Sequence, residues 1–302
     1  MKVRSLMVGI CASAFIILSS CNDGPNPPNE LDQWLKDVEA IDTYLASTGT
    51  PVIKDPSSGV SMVISSLGTG LPAQGNNGVD VDYVGRRFSD QVVFDDGNIR
   101  QNLGVLIEGW KVALSKLPVG SEATVYIPSL LGYGSNGSGS LIPPNTILEF
   151  DLRFNEVVLS STEIEKFEAD TTAIEQYLTD KGIIAEEDST GLRYVITSPG
   201  AGGTASWFSK LELKYSIKLL TDDTKTVIPL QERAPNNDFY SRPVDYIHGM
   251  KIGLQKLSIG SKATFYIPSG QAFGPAGASD NAGNTIPPDA NIIVEAELIN
   301  IQ

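Results

Sequence analysis

Histidine and cysteine, whose side chains can act as nucleophiles, metal ligands and acid–base groups near neutral pH, are rare in this chain of 302 residues. It contains one histidine, His248, and two cysteines, Cys11 and Cys21. One histidine excludes every site that needs two histidine ligands, and it leaves at most one histidine-based catalytic unit. His248 has no candidate catalytic or metal-binding partner in the sequence, so it is interpreted as a surface or hydrogen-bonded histidine.

The N-terminal segment has the composition of an export signal. Lys2 and Arg4 precede an apolar stretch of 13 residues, 6–18, which is shorter than the about 20 residues that a membrane-spanning helix needs. The Leu-Ser-Ser-Cys sequence that ends at Cys21 resembles a bacterial lipobox, a signal in which cleavage precedes a cysteine that then carries lipid. A plain secretory signal and a retained membrane anchor are the alternatives.

The lipobox interpretation predicts the fate of both cysteines. Residues 1–20 would be a lipoprotein signal peptide, whose removal takes Cys11 with it, and Cys21 would carry the lipid. Residues 21–28 are rich in Asn, Pro and Gly and would form a tether. We therefore expect a protein of the bacterial cell envelope, lipid-anchored to a membrane after export. Its folded part would have no cysteine for a disulfide, a thiol nucleophile or a metal site.

The charge balance argues against nucleic acid as a partner. The chain has 36 acidic and 22 basic residues and a formal net charge of −14 at pH 7. Affinity for nucleic acid depends on Lys and Arg side chains that neutralise phosphates. Hydrophobic residues make up 41% of the chain, which is enough to bury a core, and the length suggests two domains.

The body of the chain is an internal repeat. Residues 109–128 and 249–268 are identical at 12 of 20 positions. The Pro-Pro pair at 143–144 corresponds to 287–288, so the second copy has four extra residues in the preceding loop. A period near 140 residues indicates a domain duplication rather than a solenoid. We expect two tandem domains, one at 29–158 and one at 162–302.

Hydrophobic periodicity predicts the same elements in both copies. An amphipathic leader helix opens each copy. Its predicted apolar positions are Leu31, Trp34, Leu35, Val38, Ile41 and Leu45 in the first copy, and Ile164, Phe167, Ile174, Tyr177 and Leu178 in the second. Strands are predicted at 79–84, 123–127, 147–157, 211–219, 263–267 and 292–301, and one short helix per copy at 107–117 and 247–257. The predicted class is α+β, with an antiparallel sheet wrapped around one short helix in each copy.

Seven segments of the first copy carry a family resemblance. They are residues 81–85, 93–95, 106–110, 118–121, 132–134, 141–146 and 148–151. In order and spacing they resemble the FKBP family of peptidyl-prolyl cis–trans isomerases, over residues 75–158. The resemblance implies an isomerase that acts on proline-containing polypeptides and needs no cofactor or metal. Twisting an X-Pro amide meets a barrier of about 18–20 kcal/mol but breaks no bond, so a chain poor in His and Cys is compatible with it.

The resemblance also implies an apolar pocket in the first copy. Trp110 would be its floor, on which the proline ring rests. Its walls would be Tyr83, Phe94, Leu106, Ile107, Ile142 and Phe150. Ile99 stands where the family often has an aromatic residue, and the loop between Leu103 and Leu106 is about two residues shorter than usual. Taken singly, these apolar residues are equally compatible with an ordinary core.

Three polar groups complete the implied site. The Ile107 backbone N–H would hold a substrate carbonyl, and the Tyr133 hydroxyl would donate a second hydrogen bond to the peptide. Asp95 would lie beside the twisting amide. A carboxylate in the sequence Phe-Asp-Asp-Gly is also ordinary turn chemistry, so a purely local role for Asp95 stays open.

The second copy departs from this pattern. Tyr215, Ile247 and Ile286 match it. The substitutions are Met250 for the floor tryptophan, Phe273 for the hydroxyl-bearing tyrosine and Val294 for Phe150, and residues 226–229 contain no carboxylate. We interpret this copy as degenerate. It could bind peptide, brace the first copy or dimerise.

The leading hypothesis is an envelope-tethered prolyl isomerase that assists the folding of exported proteins. One alternative is a peptide-binding, chaperone-like lipoprotein with little or no turnover. Another is a cell-surface adhesion or scaffold protein that uses the fold without the site.

Overall fold

The structure, a computed structural model, describes residues 29–75, 77–233, 242–279 and 283–302. The expected signal peptide at 1–20, the tether at 21–28 and both cysteines lie outside the described residues. Among the helices that are described, none is long and apolar enough to cross a membrane.

The first half of the chain contains two α-helices and a six-stranded sheet. The elements are α1 (Glu30–Thr48), β1 (Ile53–Lys54), β2 (Ser61–Ser66), β3 (Gly78–Arg87), β4 (Val93–Asn102), α2 (Glu108–Lys116), β5 (Glu122–Ile127) and β6 (Leu148–Val158). The strand order is β1-β2-β5-β6-β3-β4, and every pairing is antiparallel. Short 3-10 turns at Leu103–Val105, Ser129–Leu131 and Gly134–Asn136 lie in the connecting loops.

The second half repeats this arrangement. Its elements are α3 (Ser161–Lys181), β7 (Glu186–Glu187), β8 (Arg193–Ser198), β9 (Leu211–Leu219), β10 (Asp222–Arg233), α4 (His248–Leu254), β11 (Lys262–Ile267), β12 (Ala278–Ser279), β13 (Thr285–Ile286) and β14 (Ile292–Ile301). Its sheet order, β10-β9-β14-β11-β8-β7, is that of the first sheet read from the other edge. The two-stranded β12–β13 pair lies in the loop that is longer in this half. The predicted α+β class with two antiparallel sheets is confirmed.

Each sheet packs its short helix on one face. In the first half Leu114 of α2, Val125 and Phe154 are fully buried together. In the second half Leu254 of α4 and Phe265, which correspond to Leu114 and Val125, are fully buried in the same way. The α4 helix is shorter than the sequence predicted, because residues 255–257 make the tighter i→i+3 hydrogen bonds that end a helix.

The leader helix packs on the opposite face of the first sheet. Because side chains alternate along a strand, Tyr126 of β5 points away from α2, and it packs with Ile41 and Leu45 of α1. The N-terminal turns of α1 reach beyond this contact. The prediction of burial was therefore wrong for Leu31 and Leu35, which are 56% and 51% exposed. Ile164 of α3 is 45% exposed in the same way.

Candidate functional site

Four aromatic side chains from four elements meet on the α2 side of the first sheet. They are Tyr83 of β3, Phe94 of β4, Trp110 of α2 and Phe150 of β6. The ring centroids of Trp110 lie 5.3 Å from those of both Tyr83 and Phe150, at interplanar angles of 81° and 90°. Phe94 meets Phe150 at 5.6 Å and 87°. Edge-to-face pairs of this kind add about 0.5–1.5 kcal/mol each beyond the burial of their surface.

Two glycines make this assembly sterically possible. A Cβ on Gly85 of β3 would lie 2.7 Å from a ring carbon of Phe150 and 2.8 Å from one of Phe94. A Cβ on Gly109, next to Trp110, would lie 2.3 Å from Cγ2 of Ile127. The sequence-based reasoning assigned no role to either residue. A glycine inside an otherwise regular strand is a signal of close approach that could have pointed to Gly85.

A β-bulge turns Phe94 and Asp95 towards the same site. Gly85 pairs with Asp95 while the next residue, Arg86, pairs with Val93, so Phe94 is the extra residue in β4. Consecutive residues of a regular strand point to opposite faces, and a bulge removes that alternation locally. Residues 93–102 form strand β4, so Asp95 lies in a strand and not in the turn that the Phe-Asp-Asp-Gly sequence left open.

Asp95 is hydrogen-bonded on both carboxylate oxygens. The Tyr83 hydroxyl donates to Oδ2 at 2.8 Å, and the Asp96 backbone N–H donates to Oδ1 at 3.1 Å. Partial burial, followed by this bond and the negative charge of Asp95, raises the pKa of Tyr83 to about 12. Tyr83 therefore stays a hydrogen-bond donor over the whole physiological range, and it fixes the carboxylate beside the rings.

Tyr133 lies in the loop after β5, between the two 3-10 turns, and is 37% exposed. Burial, and after it the negative charge of Asp95, raises its pKa. The hydroxyl is thus close enough to Asp95 to sense its charge, and it remains reachable from solvent.

The aliphatic residues of the expected pocket surround the same cluster. Ile142 is buried, and Ile99, Leu106 and Ile107 are half-buried against the core that contains Trp110. Ile107 also caps the N-terminus of α2, and its backbone N–H has no acceptor among the described residues. The indole N–H of Trp110 is likewise buried without a partner within the described part of the chain. Eight of the ten pocket residues that the sequence singled out therefore belong to one hydrophobic core, and Asp95 joins them through Tyr83. Tyr133 is linked to them through the charge of Asp95.

The equivalent place in the second half is built differently. Met250 is buried where Trp110 lies, and Val294 occupies the strand position of Phe150. Ile228 pairs with Ile217 where Asp95 pairs with Gly85, so an aliphatic side chain replaces the carboxylate. The sequence reasoning overlooked Tyr246, which stands where the first copy has Leu106. Its ring meets that of Tyr215 at 5.8 Å and 88°, which adds bulk beside the position of the missing tryptophan.

His248 and Lys251 of α4 lie between the two halves. The Lys251 ammonium donates to the Ser115 carbonyl of α2 at 2.9 Å. Burial, and then the charge of Lys116, lowers the pKa of Lys251 to about 7. His248 is 7% exposed, so the surface alternative for this residue is wrong. Burial, and then the charge of Lys251, holds the pKa of His248 well below its usual range. A hydrogen bond with the Ser115 backbone acts in the opposite direction and raises this pKa.

Comparison with known proteins identifies a family. The family model described as FKBP-type peptidyl-prolyl cis-trans isomerase matches residues 70–155 and 205–299. The chain is 32% identical over 136 residues to the FKBP-type peptidyl-prolyl cis-trans isomerase FkpA of Aeromonas hydrophila, which covers 41% of this chain and 50% of the relative. It is 36% identical over 110 residues to a probable FkpA of Neisseria meningitidis serogroup B, covering 35% and 40%.

A crystal structure of a peptidyl-prolyl cis-trans isomerase from Pseudomonas syringae pv. tomato is 31% identical, with coverage of 46% of this chain and 100% of that chain and a TM-score of 0.37. The chain spans half or less of the length of these two FkpA relatives. The family model, however, matches both halves and more than half of all residues. The chain therefore belongs to the FKBP-type peptidyl-prolyl cis-trans isomerase family.

Proposed function

We propose that the first half of the chain, 29–158, is a peptidyl-prolyl cis–trans isomerase that acts on proline-containing polypeptides and assists the folding of exported proteins. The observation that carries the proposal is the set of four rings, with the Tyr83–Asp95 hydrogen bond at its edge. The family relationship supports the same activity.

The rings supply a surface that favours the twisted amide. A planar X-Pro amide is strongly dipolar, and this dipole weakens when the C–N bond rotates out of resonance. A pocket lined by Trp110, Phe150 and Ile142 offers few polar groups to replace water around the planar form. It therefore stabilises the transition state relative to the ground state, which is the requirement for catalysis.

The polar groups orient the peptide. The Ile107 N–H donates to a carbonyl of the substrate, and the Tyr133 hydroxyl donates to a second one. Asp95, held by Tyr83, presents a fixed negative charge beside the amide. No bond forms or breaks, so a thousandfold acceleration needs only about 4 kcal/mol of differential binding. That amount is within reach of two hydrogen bonds together with desolvation.

A protease-coupled assay of a short X-Pro peptide tests the proposal on the full chain. We expect isomerisation to be much faster than the uncatalysed reaction, which takes on the order of tens to hundreds of seconds. If the chain binds the peptide but isomerisation stays at the uncatalysed rate, the chaperone-like alternative, a binding protein with little turnover, is favoured instead.

For the second half we propose a structural role as a brace, which here means that it holds the C-terminal end of α2 in place. The last carbonyls of a helix have no partners within the helix. Here the Ser115 carbonyl accepts from Lys251 at 2.9 Å, and the Lys116 carbonyl accepts from the Trp207 indole N–H at 3.2 Å. The Lys116 ammonium pairs with Asp245 at 3.5 Å. The second half thus holds the C-terminal end of the helix that carries Ile107 and Trp110.

The brace predicts that the two halves unfold together. Phe208 packs against both hydrophobic cores, so Phe208→Ala should lower the free energy of unfolding by about 1–3 kcal/mol and split one thermal transition into two. Differential scanning calorimetry of the full chain measures this. Ile184→Ala, at a position that is 95% exposed, should leave the transition single and unshifted. Two transitions in the unmodified protein would contradict the brace.

The proposed location rests on the sequence of the N-terminus alone. The lipobox-like sequence supports export and lipidation at Cys21. Cells that express the full chain should incorporate labelled palmitate into the protein and retain it in the membrane fraction. Cys21→Ser should abolish both, while Cys11→Ser should change neither. Labelling that survives Cys21→Ser would rule out this anchor.

A further inference from the structure

A buried carboxylate links the leader helix to the loop that carries Tyr133. Asp37 of α1 is 3% exposed, and Ser129, which opens the 3-10 turn after β5, is 1% exposed. Oδ2 of Asp37 accepts hydrogen bonds from the Ser129 backbone N–H at 2.8 Å and from the Ser129 hydroxyl at 2.5 Å. Its other oxygen, Oδ1, accepts from the side-chain amide of Gln33 at 2.7 Å. Charge-assisted hydrogen bonds in a dry environment of this kind are the strong ones.

The loop between Ser129 and Gly134 is held at both ends. Ser129 is bonded to Asp37, and the Gly134 carbonyl accepts from the Asn145 backbone N–H at 2.8 Å. Tyr133 lies immediately before the second anchor and four residues after the first. A displacement of Ser129 therefore reaches the Tyr133 backbone through three residues, two of which belong to the 3-10 turn.

The second half contains the same link. Asp170 of α3 is 4% exposed, and it accepts from the Ser269 N–H at 3.2 Å and from the Ser269 hydroxyl at 2.5 Å. Here Lys166 replaces Gln33 as the further partner of the carboxylate. The contact thus recurs in both halves. In the second half, however, the loop leads to Phe273, which has no hydroxyl to position.

We propose that Asp37 is a positioning residue of the isomerase site, which makes the leader helix part of the catalytic unit. The family model begins at residue 70, so α1 lies outside the matched module. Asp37 holds the start of the loop and thereby sets the place of the Tyr133 hydroxyl relative to Asp95. The inference rests on the proposed isomerase function.

The repeat supplies the control for the experiment. Asp37→Asn and Asp170→Asn remove the same charge from the same contact, one in each half. We expect Asp37→Asn to lower kcat/KM for an X-Pro peptide about five- to tenfold, mainly through kcat. Asp170→Asn should stay within about twofold of the unmodified chain in activity, although it should shift the unfolding midpoint at least as much, because it also breaks the ion pair with Lys166. Ser129→Ala and Ser269→Ala, which leave the backbone hydrogen bond in place, form a milder second pair.

A double substitution separates positioning from general stability. If Asp37 acts through the Tyr133 hydroxyl, Asp37→Asn should have almost no effect on kcat in a Tyr133→Phe background. Equal activity losses in the Asp37 and Asp170 variants, or additive losses with Tyr133→Phe, would overturn the inference while leaving the isomerase proposal intact. An unmodified chain without isomerase activity would instead refute the proposed function, and the inference with it.

Discussion

Replacing Trp110 by leucine is expected to lower kcat/KM for an X-Pro peptide about 30- to 100-fold, which corresponds to about 2–3 kcal/mol of transition-state stabilisation. The indole ring meets both Tyr83 and Phe150 edge to face at 5.3 Å and is only 4% exposed. Leucine keeps the position apolar but removes the flat face on which we propose that the proline ring rests. Because the aromatic contacts are lost as well, we expect the free energy of unfolding to fall by about 1–3 kcal/mol.

The matched control for Trp110→Leu is Met250→Leu in α4. Met250 occupies the same position in the second half and is 2% exposed. A methionine-to-leucine change conserves volume and usually costs less than about 1.5 kcal/mol. Isomerase activity should stay within about twofold of the unmodified chain. If activity survived Trp110→Leu but fell in Met250→Leu, the site would lie in the second half, and the assignment to the first half would be wrong.

Gly109→Ala is expected to lower kcat/KM at least about tenfold, although alanine is the better helix former by about 1 kcal/mol. The new Cβ would lie 2.3 Å from Cγ2 and 2.6 Å from Cδ1 of Ile127, so α2 has to move away from β5. The helix carries Trp110 and the Ile107 N–H, so the pocket floor and one donor move with it. Overpacking of this kind should also lower the free energy of unfolding by about 1–3 kcal/mol.

Gly249→Ala creates the same clash in the second half, with Cβ 2.4 Å from Cγ2 of Ile267. It should cost a similar amount of stability, measured by urea denaturation, and much less activity. A loss of activity as large as that of Gly109→Ala would mean that α4 sets the geometry of the site through its contact with α2. A gain of stability in both variants would contradict the expected clash, because it would show that α2 and α4 can move away from the neighbouring strands without a cost in free energy.

The strands were the part of the fold most accessible from the sequence. The alternating patterns at 211–219 and 292–301 predicted β9 and β14 with their observed bounds. The repeat predicted that both halves share one arrangement. Leader-helix burial was predicted less well. The 3.6-residue period puts Leu31 and Leu35 on the apolar face with Ile41, but it says nothing of where the partner surface ends.

The pocket residues could be named in advance, but their arrangement could not. Tyr83, Phe94, Trp110 and Phe150 came from a family resemblance that records types and spacing. The bulge at Phe94 and the steric need for Gly85 follow from the register between β3 and β4. Register depends on pairing across strands, and the local pattern of a single strand does not contain it. For His248 only the surface alternative failed: it is buried, and its hydrogen bond with the Ser115 backbone comes from the other half of the chain.

By itself the sequence determined the α+β class and the duplication. These properties depend on neighbours within a few residues or on the comparison of one half with the other. Only the tertiary structure decided that Asp37 meets Ser129, 92 residues away, and that Lys251 meets Ser115, 136 residues away. Such contacts form only when sheets and helices pack in three dimensions, since the free energy that favours them is that of burial and of hydrogen bonds in a dry interior.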